Sequence, residues 1–218
     1  MKPRLIIWDF DGVLADTEIL WITVWRNCLN RFFNLNWDLN ETYQQLAGMS
    51  DKTKAIVLAQ KGIRLDEPFR QELYRQMQLA MNKGFKLTPG VTEIFVLKEF
   101  KQCIATGGAP EKSRQKFAVS GADQYFSADR CFFAEMVAHG KPEPDLFLLA
   151  AKKMGEKPEN CLVIEDSLPG LTAAKRAGMP VIAFTAYNNL HDFYDKARAL
   201  GVDSFYNDMT EIKKLLTF

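Results

Sequence analysis

Apolar residues along this chain fall into two rhythms. Short, unbroken runs occur at Leu5 to Trp8, Gln102 to Ala105, Cys131 to Phe133, Leu162 to Ile164 and Val181 to Phe184. Runs this brief, without polar alternation, predict strands covered on both faces. Between the later runs the apolar positions recur at helical spacing. Residues 143 to 154 close at Gly155 and residues 168 to 177 at Gly178, where a helix-ending glycine belongs. A short strand at Ser204 to Tyr206 and a last helix from Thr210 extend the pattern. Strands alternating with helices predict an α/β fold: a doubly wound, Rossmann-like parallel sheet.

The stretch from 17 to 83 breaks this rhythm. It holds no convincing strand and at least three helical segments. Trp21, Trp25, Cys28, Leu29 and Phe32 share one face of the first. Ser50 is expected to cap residues 51 to 61, which stop at Gly62. Asp66 is expected to cap a further helix, with Pro68 in its first turn and Gly84 at its end. The division expected is a core of residues 1–16 and 84–218 and a small helical cap of residues 17–83.

Composition narrows the function classes. With 28 Lys and Arg against 27 Asp and Glu, the net charge of +1 exerts no general pull on nucleic acid or an anionic membrane. The start, MKPRLIIWDF, is too short in aliphatic residues for a signal segment. No apolar run approaches the roughly 18 residues of a membrane span. The four cysteines, Cys28, Cys103, Cys131 and Cys161, have no CxxC spacing and read as reduced core residues of a cytoplasmic protein.

Chemistry enters at the strand ends. LIIWDFDGVLADTEIL places Asp9 and Asp11 directly after a buried strand, alternating with Phe10. Carboxylates this close repel and are costly to desolvate, and a hard divalent cation would offset both penalties. Asp16 and Glu18 fit a simpler reading, with Asp16 capping the following helix. The run CIATGGAP ends in Thr106, Gly107 and Gly108 before Pro110 opens a helix, a hydroxyl and free N–H groups suited to an oxyanion. HGKPEPD sets Lys141 before Pro142 and Pro144, and CLVIEDS ends in Glu165 and Asp166. In an open α/β sheet ligands bind at the carboxyl ends of the strands, so all four features would face one crevice.

Together these stretches resemble the haloacid dehalogenase superfamily, in the branch with a helical cap after the first strand. The likeness rests on DFDGVLADT (9–17), ATGG (105–108), GKPEPD (140–145) and VIEDSLPG (163–170), in order across almost the whole chain. Within that superfamily the chain is similar to β-phosphoglucomutase-like sugar-phosphate phosphatases. The resemblance implies Asp9 as nucleophile and Asp11 as general acid and base. It implies Thr106 and the Gly107 N–H as phosphate ligands and Lys141 as neutralising charge. Mg²⁺ would be held by Asp9, the carbonyl of Asp11, and Asp166 aided by Glu165. The substrate would be a small phosphate ester, the protein a monomer. Dehalogenases of the superfamily lack an acid at Asp11, because a halide needs no proton.

Two departures qualify the likeness. Gly107 stands where the family often has Asn or Ser, leaving only an N–H. Related sugar-phosphate mutases carry a histidine at the position of Trp21 and an arginine near Asp51, and this chain has neither. A mutase, a non-catalytic binding module and a phosphonate-cleaving relative using Lys52 or Lys54 are alternatives. His139 and His191 are read as incidental loop residues.

Overall fold

β1 (Leu5–Trp8) is buried along its whole length, as its unbroken apolar run requires. It pairs in parallel with β2 (Lys101–Thr106) on one side and β4 (Cys161–Glu165) on the other. β3 (Cys131–Phe133) adds to β2, and β5 (Val181–Phe184) and β6 (Phe205–Tyr206) continue beyond β4. The sheet order is β3-β2-β1-β4-β5-β6, all parallel, the expected doubly wound arrangement. The computed structural model describes residues 2–47, 49, 51–188 and 192–217, with Lys52 described through its backbone alone. The expected cap residue Ser50, His191 and the side chain of Lys52 lie outside the described residues.

Gln102 is a buried polar residue inside β2, and both ends of its side chain are bonded. Its Oε1 accepts from Trp8 Nε1 at 3.1 Å and its Nε2 donates to the Ile94 carbonyl at 2.9 Å. This ties the first two strands to a short helix, α5 (Val91–Phe95), that the periodicity did not reveal. One sheet face packs Leu5, Ile7, Cys103 and Val163 against Leu146, Phe147, Ala150 and Ala151 of α7 (Asp145–Met154) and Ala173 and Ala174 of α8 (Leu168–Arg176). α6 (Pro110–Ser120) follows β2, α9 (Phe193–Ala199) follows β5, and α10 (Met209–Thr217) ends the chain.

The chain divides into two units, residues 1–16 with 86–218 and residues 17–85. The second unit is all helix: α1 (Glu18–Phe33), α2 (Leu39–Leu46), α3 (Asp51–Gln60) and α4 (Glu67–Lys83). Trp25, Cys28 and Leu29 are buried on α1 as the spacing predicts, whereas Phe32 is 37% exposed and reaches the Phe69 ring only edge-on. The N-cap of α1 is Thr17, so Asp16 stands one residue ahead of the capping place it was expected to fill. Asp66 does cap α4, accepting from the Phe69 N–H at 2.9 Å, and Gly84 ends it with φ 72°. α2 begins with Asp38 accepting from the Glu41 N–H at 2.7 Å, a short-range cap signal passed over in the sequence. All four cysteines are free and buried. Among the described residues no helix is long and apolar enough to cross a membrane.

Candidate active site

The carboxyl ends of the three central strands deliver the site. β1 ends one residue before Asp9, β2 ends at Thr106, and β4 ends at Glu165 with Asp166 next. Because the strands are parallel and in register, all of these ends open on the same edge of the sheet. Asp9, Glu165 and Asp166 each bring one oxygen to within 4.8 Å of the others. The Asp11 carboxylate is not part of that group.

Lys141 is the hub. Its Nζ donates to Asp9 Oδ1 at 2.5 Å, Glu165 Oε1 at 2.8 Å and the Ala105 carbonyl at 3.2 Å. Its ammonium lies over the Phe147 ring, with Nζ 4.9 Å from the centroid. The loop carrying it contains a cis Lys141–Pro142 peptide. Arg176 of α8 clasps that loop, donating to Glu143 Oε1 at 2.5 Å and to the Pro142 carbonyl at 3.3 Å.

Glu165 is 1% exposed and has both oxygens engaged. Oε2 accepts from the Ser167 N–H at 2.6 Å and its hydroxyl at 2.9 Å, while Oε1 takes Lys141. Ser167 in turn caps α8, its Oγ accepting from the Gly170 N–H at 3.1 Å. The strand end, the helix start and the lysine are thus joined in one network. Gly170 is needed there, because a β-carbon on it would lie 1.7 Å from Glu165 Oε1.

The phosphate-friendly turn has its expected polar edge. Thr106 is buried, and its Oγ1 accepts from the Gly108 N–H at 3.2 Å. Nothing lies within 4 Å of the place a Gly107 β-carbon would take, so that residue borders open space.

Electrostatics mark the cluster as overcharged. Burial pushes the Asp9 carboxyl up to about 7, against the pull of the Lys141 ammonium, with the charges of Glu165 and Asp11 adding to the rise. Burial also raises the Asp166 carboxyl well above its usual range, reinforced by Glu165 and Asp9. For Lys141 burial acts to lower the pKa, but the charges of Asp9 and Glu165 outweigh it and the net shift is upward. One ammonium among three carboxylates, Asp9 and Glu165 buried and Asp166 half-buried, leaves negative charge in excess. Three oxygen donors with surplus negative charge suit a hard divalent cation.

Asp11 is held elsewhere. Both of its oxygens accept from Lys116 Nζ on α6, at 2.6 and 2.8 Å. Sequence reasoning missed Lys116, which looks like any helix lysine. Ser167 it could have found, as a serine immediately before a helical stretch with proline in the first turn. His139 is largely exposed, with Nδ1 3.3 Å from Asp145 Oδ2, apart from the network.

The chain is 27% identical over 195 residues to a phosphorylated carbohydrates phosphatase of Thermotoga maritima, covering 87% of each. It is 28% identical over 181 residues to the fructose-1-phosphate phosphatase of Escherichia coli, covering 81% of this chain and 94% of that one. A haloacid dehalogenase family hydrolase from Deinococcus radiodurans, solved with bound phosphate and sodium, superposes with a TM-score of 0.88. Its identity is 25%, over 99% of this chain and 96% of that one. Residues 3–178 match the haloacid dehalogenase-like hydrolase family, and the chain belongs to it.

Proposed function

We propose that the protein is a Mg²⁺-dependent phosphatase of small phosphomonoesters, of the sugar or sugar-acid phosphate class, working through an aspartyl-phosphate on Asp9. The observation that carries this reading is the Lys141 bridge between Asp9 and Glu165 beside Asp166. The names of the two phosphatase relatives support the substrate class.

Asp9 supplies an oxygen that attacks phosphorus, and the bond to the ester oxygen breaks. Asp11 gives its proton to the departing alkoxide. Water then attacks the aspartyl-phosphate, Asp11 takes a proton from it, and Asp9 is released with inorganic phosphate. Lys141 favours the ionised form of Asp9 against its burial and offsets repulsion between its carboxylate and the phosphoryl oxygens. The Thr106 hydroxyl and the Gly107 N–H receive those oxygens at the turn. Asp9, Asp166 and the Asp11 carbonyl would hold Mg²⁺, which supplies charge neutralisation and orientation of the phosphoryl group. Glu165, with both oxygens already engaged, is assigned to fixing Lys141 and the start of α8 rather than to direct ligation. We assign residues 17–83 as a helical cap domain.

The test is a panel of sugar, sugar-acid and polyol phosphates with Mg²⁺ and with EDTA. Phosphate release that stops in EDTA is expected. Folded protein that stays silent across the panel rejects the reading.

A further inference from the structure

Asp11 must present a carboxylate oxygen to the leaving group and later to water, yet it sits in a loop just past a strand end. Its partner in the structure is Lys116, whose Nζ reaches both oxygens at 2.6 and 2.8 Å. The two residues are 105 positions apart. The lysine side chain is only 13% exposed, against 37% for the aspartate. Exposed ion pairs contribute about 0–1 kcal/mol, which gives little reason to confine a lysine so far from water. The neighbouring residues repeat the pairing: Phe10 packs on Phe117 with centroids 4.8 Å apart. Phe117 stacks in turn on Phe133 of β3 at 6.2 Å. The loop and the helix are therefore clamped to each other next to the ion pair.

We propose that Lys116 is a positioning residue for Asp11, fixing the plane of its carboxylate for proton transfer; this rests on the phosphatase reading above. An ammonium has three donors and no acceptor, so it can hold one oxygen of Asp11 while the other carries the proton. Lys116 neither gives nor receives that proton. It passes from Asp11 to the alkoxide, and the replacement comes from the attacking water.

The test compares wild type, Lys116→Met, Lys116→Arg, Asp11→Asn and the Asp11→Asn/Lys116→Met double variant. Each is assayed with Mg²⁺ on the alkyl phosphate that wild type turns over fastest and on an aryl phosphate. Lys116→Met is expected to lower kcat on the alkyl ester about tenfold or more with KM little changed, because general acid–base assistance contributes roughly 10²–10⁴-fold. The first phosphoryl transfer from the aryl ester, which needs little proton help, should change far less. Lys116→Arg should recover part of the loss, and the double variant should be no slower than Asp11→Asn alone. Should Lys116→Met fail to fold, Lys116→Gln takes its place in the same comparison. Wild-type kcat in a folded Lys116 variant, or losses that multiply in the double variant, would overturn the inference while leaving the phosphatase reading intact. A wild-type protein silent on every ester rejects both.

Discussion

A β-carbon on Gly12 would stand 1.9 Å from Oδ2 of Asp166, so the turn after the first strand and the end of the fourth are in direct contact. Gly12 also has φ 81°, a conformation that side chains rarely adopt. Both facts forbid a larger residue. Gly12→Ala is expected to cost about 1–3 kcal/mol in backbone strain. Displacing Asp166 by a fraction of its own length should also lower turnover about 100-fold. Urea unfolding and phosphate release measure the two effects separately. A fully active, equally stable Gly12→Ala protein would contradict this contact.

Lys141→Met removes the cation that bridges Asp9 and Glu165. Two buried carboxylates then face each other without compensation, and breaking such a pair costs about 3–5 kcal/mol. The loss should be smaller at pH 5 than at pH 8, since Asp9 can take up a proton at the lower pH. Turnover should fall below detection at either pH. Denaturant midpoints of wild type and variant at both pH values check this, and an equal loss at both would rule out Asp9 as the group left uncompensated.

Metal-free stability should decline as pH rises. The folded-state pKa of Asp9 is raised from 3.8 to about 7, and that of Asp166 is raised as well. A group that binds its proton more tightly when folded contributes stability fully present below its unfolded pKa and lost as pH passes the folded value. For Asp9 that window runs from about pH 4 to 7, with a span on the order of 4 kcal/mol at most. The raised Lys141 pKa has no effect in this window, because the lysine stays charged in both states. Thermal melts in EDTA should therefore show wild type losing stability relative to Asp9→Asn across the window, and Mg²⁺ should remove much of the difference. Parallel curves in EDTA would show that Asp9 is not under this charge pressure.

The parallel sheet was legible because buried parallel strands leave unbroken apolar runs, such as Leu5 to Trp8, whereas the order β3-β2-β1-β4-β5-β6 came only from the structure. Asp9, Thr106, Glu165 and Asp166 stood out because charged or hydroxyl residues at the ends of such runs have no packing role, whereas Lys141, in a loop away from any apolar run, was marked only by the GKPEPD stretch of the family resemblance. What escaped notice was carried by contacts distant in sequence. Lys116 is separated from Asp11 by 105 positions and has no local pattern to mark it. The engagement of both Glu165 oxygens is invisible in a string where Glu165 and Asp166 look equivalent. Helices α2, α5 and α9 are short, at 8, 5 and 7 residues, too brief for periodicity to stand out. Asp16 was misplaced by one residue at a boundary that capping rules locate only to within a residue or two.

The central claim, that Asp9 becomes phosphorylated and Asp11 moves the protons, is tested most directly by the mass of Asp11→Asn after mixing with an aryl phosphate and Mg²⁺. A good leaving group needs little acid help, so Asp9 should still be phosphorylated. Hydrolysis of the acyl phosphate needs the missing base, so that species should accumulate. Acid-quenched protein should gain the mass of one phosphoryl group, located on the peptide that contains Asp9. Wild type should show little of it, and Asp9→Asn none. Normal turnover by Asp11→Asn, or a phosphoryl group on any other residue, would contradict the account.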